Sequence, residues 1–267
     1  MKVKPYLSLA RVGIIESLQF RIATYVTLIG NLVYLVIVYF LWKAIFASVG
    51  TNEVNGMTFS DTIIYLVLAT ALNGFMEMYI VWEIGKNIQS GKIILDLLRP
   101  MKYRTFLFWS FSGNFVTHFF LRFLPTFVIV CAVTHGTVPL KCNLIYFIIS
   151  VIIAISINYS IDFITGTICL YTESVWGINI MRQVIVLLLS GATVPLAFFP
   201  EPLKTIAKCL PFQSIYNAPL IILLDGTPQM KTLIPVLGMQ LFWCLIMTIL
   251  SKLFWKISIR KITVNGG

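Results

Sequence analysis

Residues 23–46 read ATYVTLIGNLVYLVIVYFLWKAIF, an apolar run whose only charge is Lys43. An α-helix rises 1.5 Å per residue, so about 20 apolar residues cross a hydrocarbon core of roughly 30 Å. This run is long enough to span, too long for the apolar region of a secretory signal, and shows no small-residue cleavage pattern. It is therefore expected to stay in the membrane. Outward from it, similar runs follow at about 61–82, 105–133, 143–171, 183–199 and 232–251. The fold predicted is all-α: a polytopic membrane protein with six transmembrane helices, forming one domain over residues 1–267.

Composition supports the same class. Of 267 residues, 58% are hydrophobic and 11% charged, with mean hydropathy +0.91, whereas soluble domains are near a quarter charged. The net charge of +10 is better explained by basic residues flanking spans than by nucleic acid. With both termini cytoplasmic, the inner segments hold fourteen Lys or Arg and the outer segments five, a positive-inside bias. The expected location is a bacterial cytoplasmic membrane. Five scattered cysteines form no CxxC, so metal or redox use is not expected. Cys142 and Cys209 both fall on the predicted outer side, which leaves a bridge open.

Three segments depart from plain spans. Residues 3–21 place Leu7, Ala10, Ile14 and Leu18 at helical spacing among charges and predict an interfacial amphipathic helix. The inner segment 83–104 is longer than a turn needs. Within it Ile93, Ile94, Leu97 and Leu98 form an apolar stripe on a short helix opened after Gly91 and stopped at Pro100. The same segment imitates a phosphate-binding loop, but five residues separate Gly85 from Gly91 and Ile93 replaces the hydroxyl residue, so it is no ATP site. The outer stretch 195–228 holds six of the eleven prolines. Leu203–Leu210 and Ile215–Leu224 read there as two short apolar helices of a re-entrant hairpin between spans five and six.

Polar side chains inside spans are costly and should face protein or water. Ser110, Asn114, His118 and Arg122 recur every four residues in span three, Asn158 and Asp162 do so in span four, and span two carries Glu77. By depth, Arg122 lies roughly 26 Å above the inner end of its span, while Glu77 and Asp162 fall in the inner third. Arg122 is thus expected to reach outer headgroups or a partner subunit rather than either acid, with lining of a substrate path as the alternative. His118 is expected to be an interhelical hydrogen-bonding residue, and Arg182 is placed in a loop with Glu173.

Inner termini, an amphipathic first helix, the inner I-x-x-G-K-I-x-x-x-L-L-R-P segment and the outer P-L-x-F-F-P…L-P-F-Q…Y-N-A-P segment together resemble the ABC type-2 permeases, the membrane subunits of bacterial ATP-binding cassette exporters. The resemblance implies that Gly91, Ile93, Ile94, Leu97, Leu98, Arg99 and Pro100 form the coupling helix that docks on an ATPase subunit. It implies that residues 3–21 are the interfacial connecting helix, and that Pro195, Phe199, Pro200, Pro211 and Pro219 belong to an outer gate. The partners implied are two separate ATPase subunits, which would hold ATP and Mg²⁺, and a second permease, the same or a sister chain. This chain itself would carry no catalytic residue, cofactor or metal. The alternative is an ion- or proton-coupled secondary transporter using Glu77 and Asp162. A membrane-embedded enzyme is the third reading; the chain has no HExxH or GxSxG motif, and its two histidines are His118 and His135.

Overall fold

The computed structural model describes residues 4–19, 21–133, 143–172, 174–224 and 230–261; His135, Cys142, Glu173 and the last part of the 195–228 stretch lie outside them. The described chain is helical apart from one two-stranded hairpin. Helix α1 (Lys4–Gln19) precedes α2 (Arg21–Val49); strands β1 (Glu53–Val54) and β2 (Met57–Thr58) lead to α3 (Phe59–Met76) and α4 (Ile80–Gln89). The five-residue α5 (Ile93–Leu97) is followed by α6 (Tyr103–His118), a π-helical turn at Phe119–Phe123, and α7 (Leu124–Val133). Then come α8 (Asn143–Ile168), α9 (Val175–Leu189), α10 (Glu201–Cys209), α11 (Asn217–Leu224) and α12 (Met230–Ser258).

Among the described residues, five helical stretches are long and apolar enough to cross a membrane: Tyr25–Val49, Phe59–Gln89, Tyr103–Val133, Leu144–Ile168 and Met230–Ser258. The expected fifth span is shorter and shifted. Helix α9 has 15 residues and closes at Ser190, where Gly191 turns the chain at φ +79°. It begins eight residues before the expected position, capped by Ser174, whose Oγ accepts from the Gly177 amide at 3.3 Å. The sequence reading put Arg182 in a loop because of its charge. In the bundle that charge is met by acceptors on α8, so the helix runs through it.

Ring contacts fix which ends meet. Phe59, opening α3, packs on Tyr39 and Phe46 of α2 at 5.5 and 5.7 Å. Tyr103, opening α6, stacks on Trp255 near the end of α12 at 5.0 Å, and Tyr171 past α8 hydrogen-bonds Ser258. The ends of α4, α8 and α12 therefore gather with α5 and Lys86, Lys92, Lys102 and Lys252 at a basic end. The β-hairpin marks the other end. Its Asn55–Gly56 turn has φ of 53° and 81°, as a two-residue hairpin requires. Thr58 then caps α3 in a reciprocal capping box with Asp61.

Helix α8 is the centre of the bundle, packed by α12, α4, α11 and α9. Glycines let α4 lie close: a Cβ on Gly166 would meet Ile84 at 2.6 Å, and one on Gly85 would meet Val175 at 2.5 Å. Helices α2 and α12 are the outermost and expose apolar side chains along their length.

Helix α1 packs along its length against α6. Tyr6 packs on Trp109 at 5.7 Å, and Ser17 hydroxyl donates to Thr117 at 2.8 Å, so α1 runs alongside and parallel to α6. A Cβ on Gly113 would lie 2.2 Å from the Ala10 carbonyl oxygen, leaving no room between the backbones. The packing face is Ala10, Gly13, Ile14 and Ser17, while Leu7 and Leu18 of the expected stripe are exposed. Small residues carry this contact because they admit close backbone approach, the packing mode of helices in lipid.

Candidate functional site

The apolar stretch Phe59–Gln89 contains no proline, yet its helix opens at Glu77–Tyr79. Opening a helix in a low-dielectric setting frees carbonyls that must find donors. Two neighbouring elements supply them. Arg122 Nη1 donates to the Gly74 carbonyl at 2.9 Å, and Asn158 Nδ2 donates to the Met76 carbonyl at 3.2 Å. The break is thus a product of side chains remote in sequence, and nothing local marks it.

Two ion pairs flank the opening. Arg122 Nη1 lies 2.9 Å from Glu77 Oε2, which overturns the expectation that Arg122 is too far from either acid. The apolar stretch bearing Glu77 continues through α4 to Gln89, so Glu77 lies roughly 18 Å from its basic end rather than about 8 Å. The π-turn at Phe119–Phe123 also inserts a residue and re-aims Arg122. On the other side, Arg182 pairs with Asp162 Oδ1 and donates through Nη2 to Asn158 Oδ1 at 2.6 Å. Asp162 is fully buried. Each acid therefore faces an arginine, where the sequence had suggested no cationic partner.

A cleft of about 940 Å³ runs between α1, α4 and α6. Ser110, Asn114, His118 and Arg122, the four-residue ladder of span three, all line it. At 1.5 Å per residue these four mark a polar wall about 18 Å long. Glu16 of α1 faces them, and Lys86 and Lys92 sit toward the basic end. Arg122 is buried and lines this cleft. His118 is buried, and its Nδ1 has no hydrogen-bond partner among the described residues.

At the basic end α4 turns through Gly91, whose φ of +72° suits glycine, into α5. Buried Asp96 fixes α5 to α4: Asn87 Nδ2 donates to its Oδ2 at 3.1 Å and Arg99 Nε to its Oδ1 at 3.0 Å. The expected apolar stripe divides. Ile93 is buried, and Ile94 and Leu97 are half-buried against the chain's own cluster around Tyr103 and Phe163. Leu98 is 77% exposed, as is Leu95 at 65%, with Arg99 and Pro100 beside them. Asn87, Asp96 and Leu95 were not singled out in the sequence; an acid three residues before Arg99 in an otherwise apolar helix was the available signal.

At the hairpin end, Pro195, Phe199, Pro211 and Pro219 are buried and Pro200 is exposed. The two short helices expected there are α10 and α11, and α11 packs against α8, α3 and α12. Gln240 of α12 donates to the Ser214 carbonyl at 2.8 Å, and Tyr216 hydroxyl donates to Asn73 at 2.8 Å. No curated protein matches the chain. The family profile described as ABC-2 family transporter protein matches residues 32–266, which leaves α1 and the first turns of α2 outside the match.

Proposed function

The chain belongs to the ABC-2 family of transporter proteins, and from that premise we propose that it is the permease of a bacterial exporter, working as a dimer over two separate ATPase subunits. It is a multi-pass membrane protein of the transport class, and the proposed orientation places both termini and α5 in the cytoplasm. The observation that carries the reading is the state of α5. A short helix fixed to the end of a span through buried Asp96 presents Leu95 and Leu98 outward. Exposed leucines at the end of an otherwise basic face are costly in water and suit a hydrophobic groove on a partner.

Force applied to α5 passes to α4, because Asn87 and Asp96 tie the two together. The close contacts of α4 with α8 and α9 at Gly166 and Gly85 carry it into the bundle. The opening at Glu77–Tyr79 lets α3 respond separately from α4. Such a bundle would alternate between two packings biased by the ATPase pair. The cleft beside α6 serves as the polar inner part of the path, through Asn114, His118 and Arg122. The 195–224 segment is read as the outer re-entrant gate. Its support is Tyr216 bonding Asn73, which lies roughly 21 Å along α3 from Phe59. The apolar faces of α2 and α12 supply the surface for lipid and for the second permease.

The test is the double replacement of Leu95 and Leu98 by Asp. Both side chains point away from the bundle, so the variant should insert and melt as the wild type does while losing co-purification with the ATPase. Co-purification at wild-type stoichiometry would show that α5 is not the docking element. Replacing Ile94 and Leu97 tests less, because those side chains hold α5 to its own chain.

A further inference from the structure

A second cavity, of about 530 Å³, lies at the hairpin end between α3, the Pro195–Ala197 segment, α10 and α11. Its chemistry differs from that of the cleft beside α6. Ile64, Leu196, Leu220 and Leu224 give it an apolar floor, and Lys204 and Lys208, one turn apart on α10, line its rim. The acid on its wall, Asp61, turns Oδ2 to the Thr58 amide and hydroxyl at 3.2 and 2.7 Å. Glu201 pairs with Lys204 at 3.0 Å but stands exposed in solvent, and Lys208 forms no ion pair among the described residues. An ammonium has three donors, so the two lysines keep donors to spare. Below them, Tyr65 hydroxyl and Asn217 Oδ1 satisfy one another at 3.2 Å, and the floor has no further polar demand.

Depth and access agree with an amphiphile. Tyr65 lies about 9 Å along α3 from its first residue, the depth at which an interfacial headgroup gives way to acyl chain. Helix α10 turns Leu203 and Ile206 outward, so the element that carries the lysines also presents an apolar face to lipid. We propose that this cavity binds an anionic phospholipid of the surrounding bilayer, its phosphate between Lys204 and Lys208 and the start of one acyl chain over Leu196, Leu220 and Leu224. The site does not depend on the ATPase reading, since it requires only the bundle and the membrane.

The experiment uses the full chain purified in mild detergent, with phosphatidylglycerol and phosphatidylcholine of identical chains offered together and the lipid retained per protein measured by native mass spectrometry. Wild type should retain phosphatidylglycerol preferentially. The K204Q/K208Q variant should cut that preference by about thirtyfold, each lysine near a membrane surface being worth roughly a factor of five toward an anionic lipid. Replacing half-exposed Ile221 on the cavity wall by Trp, with both lysines intact, should displace the chain and lower retention of both lipids. Glycerol phosphate, which has the headgroup chemistry without chains, should not compete. An unchanged preference in K204Q/K208Q would overturn the proposal, as would full retention in I221W or displacement by glycerol phosphate. Melting temperatures at the wild-type value establish that each variant is folded.

Discussion

Replacing Arg182 by Met separates the structure from the linear reading of the chain. In the bundle Arg182 pairs with Asp162 and donates to Asn158 at 2.6 Å. Asp162 is fully buried, so the substitution leaves a carboxylate with no cation in a low-dielectric interior. Removing one partner of a buried pair costs about 3–5 kcal/mol, and the lost bond to Asn158 adds about 1 kcal/mol. At roughly 2–4 °C per kcal/mol for a chain of this size class, the main term alone predicts a fall of about 6–20 °C in melting temperature. The double variant R182M/D162V removes both charges, and because an apolar pair of similar volume often matches a buried ion pair, it should recover at least half of the loss. Melting of detergent-purified protein, followed by intrinsic fluorescence, gives the comparison. Were Arg182 a loop residue, R182M would shift stability by no more than about 0.5 kcal/mol. That result, or a double variant no better than the single, would refute the buried-pair assignment.

Two further perturbations address the other contacts. Gly113→Ala sets a methyl group 2.2 Å from the Ala10 carbonyl oxygen; α1 must move, at a cost of about 1–3 kcal/mol. Hydrogen exchange should accelerate over residues 4–19 and stay unchanged over α8, and no change over α1 would contradict the packed position. At the opening in span two, Arg122→Gln should destabilise more than Glu77→Gln by about 1 kcal/mol, because Arg122 also satisfies the Gly74 carbonyl. Thermal melting of the two variants side by side decides it, and the reverse order would show that the ion pair outweighs the carbonyl contact.

Much of the site was legible where the chemistry is periodic. The four-residue spacing of Ser110, Asn114, His118 and Arg122 placed them on one face of a helix, and that face lines the cleft. Glycine and proline punctuation located α5 between Gly91 and Pro100, and the prolines after residue 195 located α10 and α11. Where the reading failed, it failed over charges. A lone arginine in an apolar stretch reads as a boundary because burying it unpaired would be prohibitive, so span five was started after Arg182. A depth count treats a helix as ending at its first charge, so Glu77 was set too near the basic end to meet Arg122. Ile93, Ile94, Leu97 and Leu98 were assigned to one stripe because a five-residue helix has too few turns for periodicity to say which side is covered.

The sequence by itself determined the class: runs of apolar residues longer than a bilayer core admit only helices that satisfy their own backbone. What only the tertiary structure decided is where those helices open and which charges meet. The carbonyls freed at Glu77–Tyr79 are satisfied by Arg122 and Asn158, forty-eight and eighty-two residues away in the chain. Such a partner is set by the packing of three helices against one another, and no local pattern of residues encodes it.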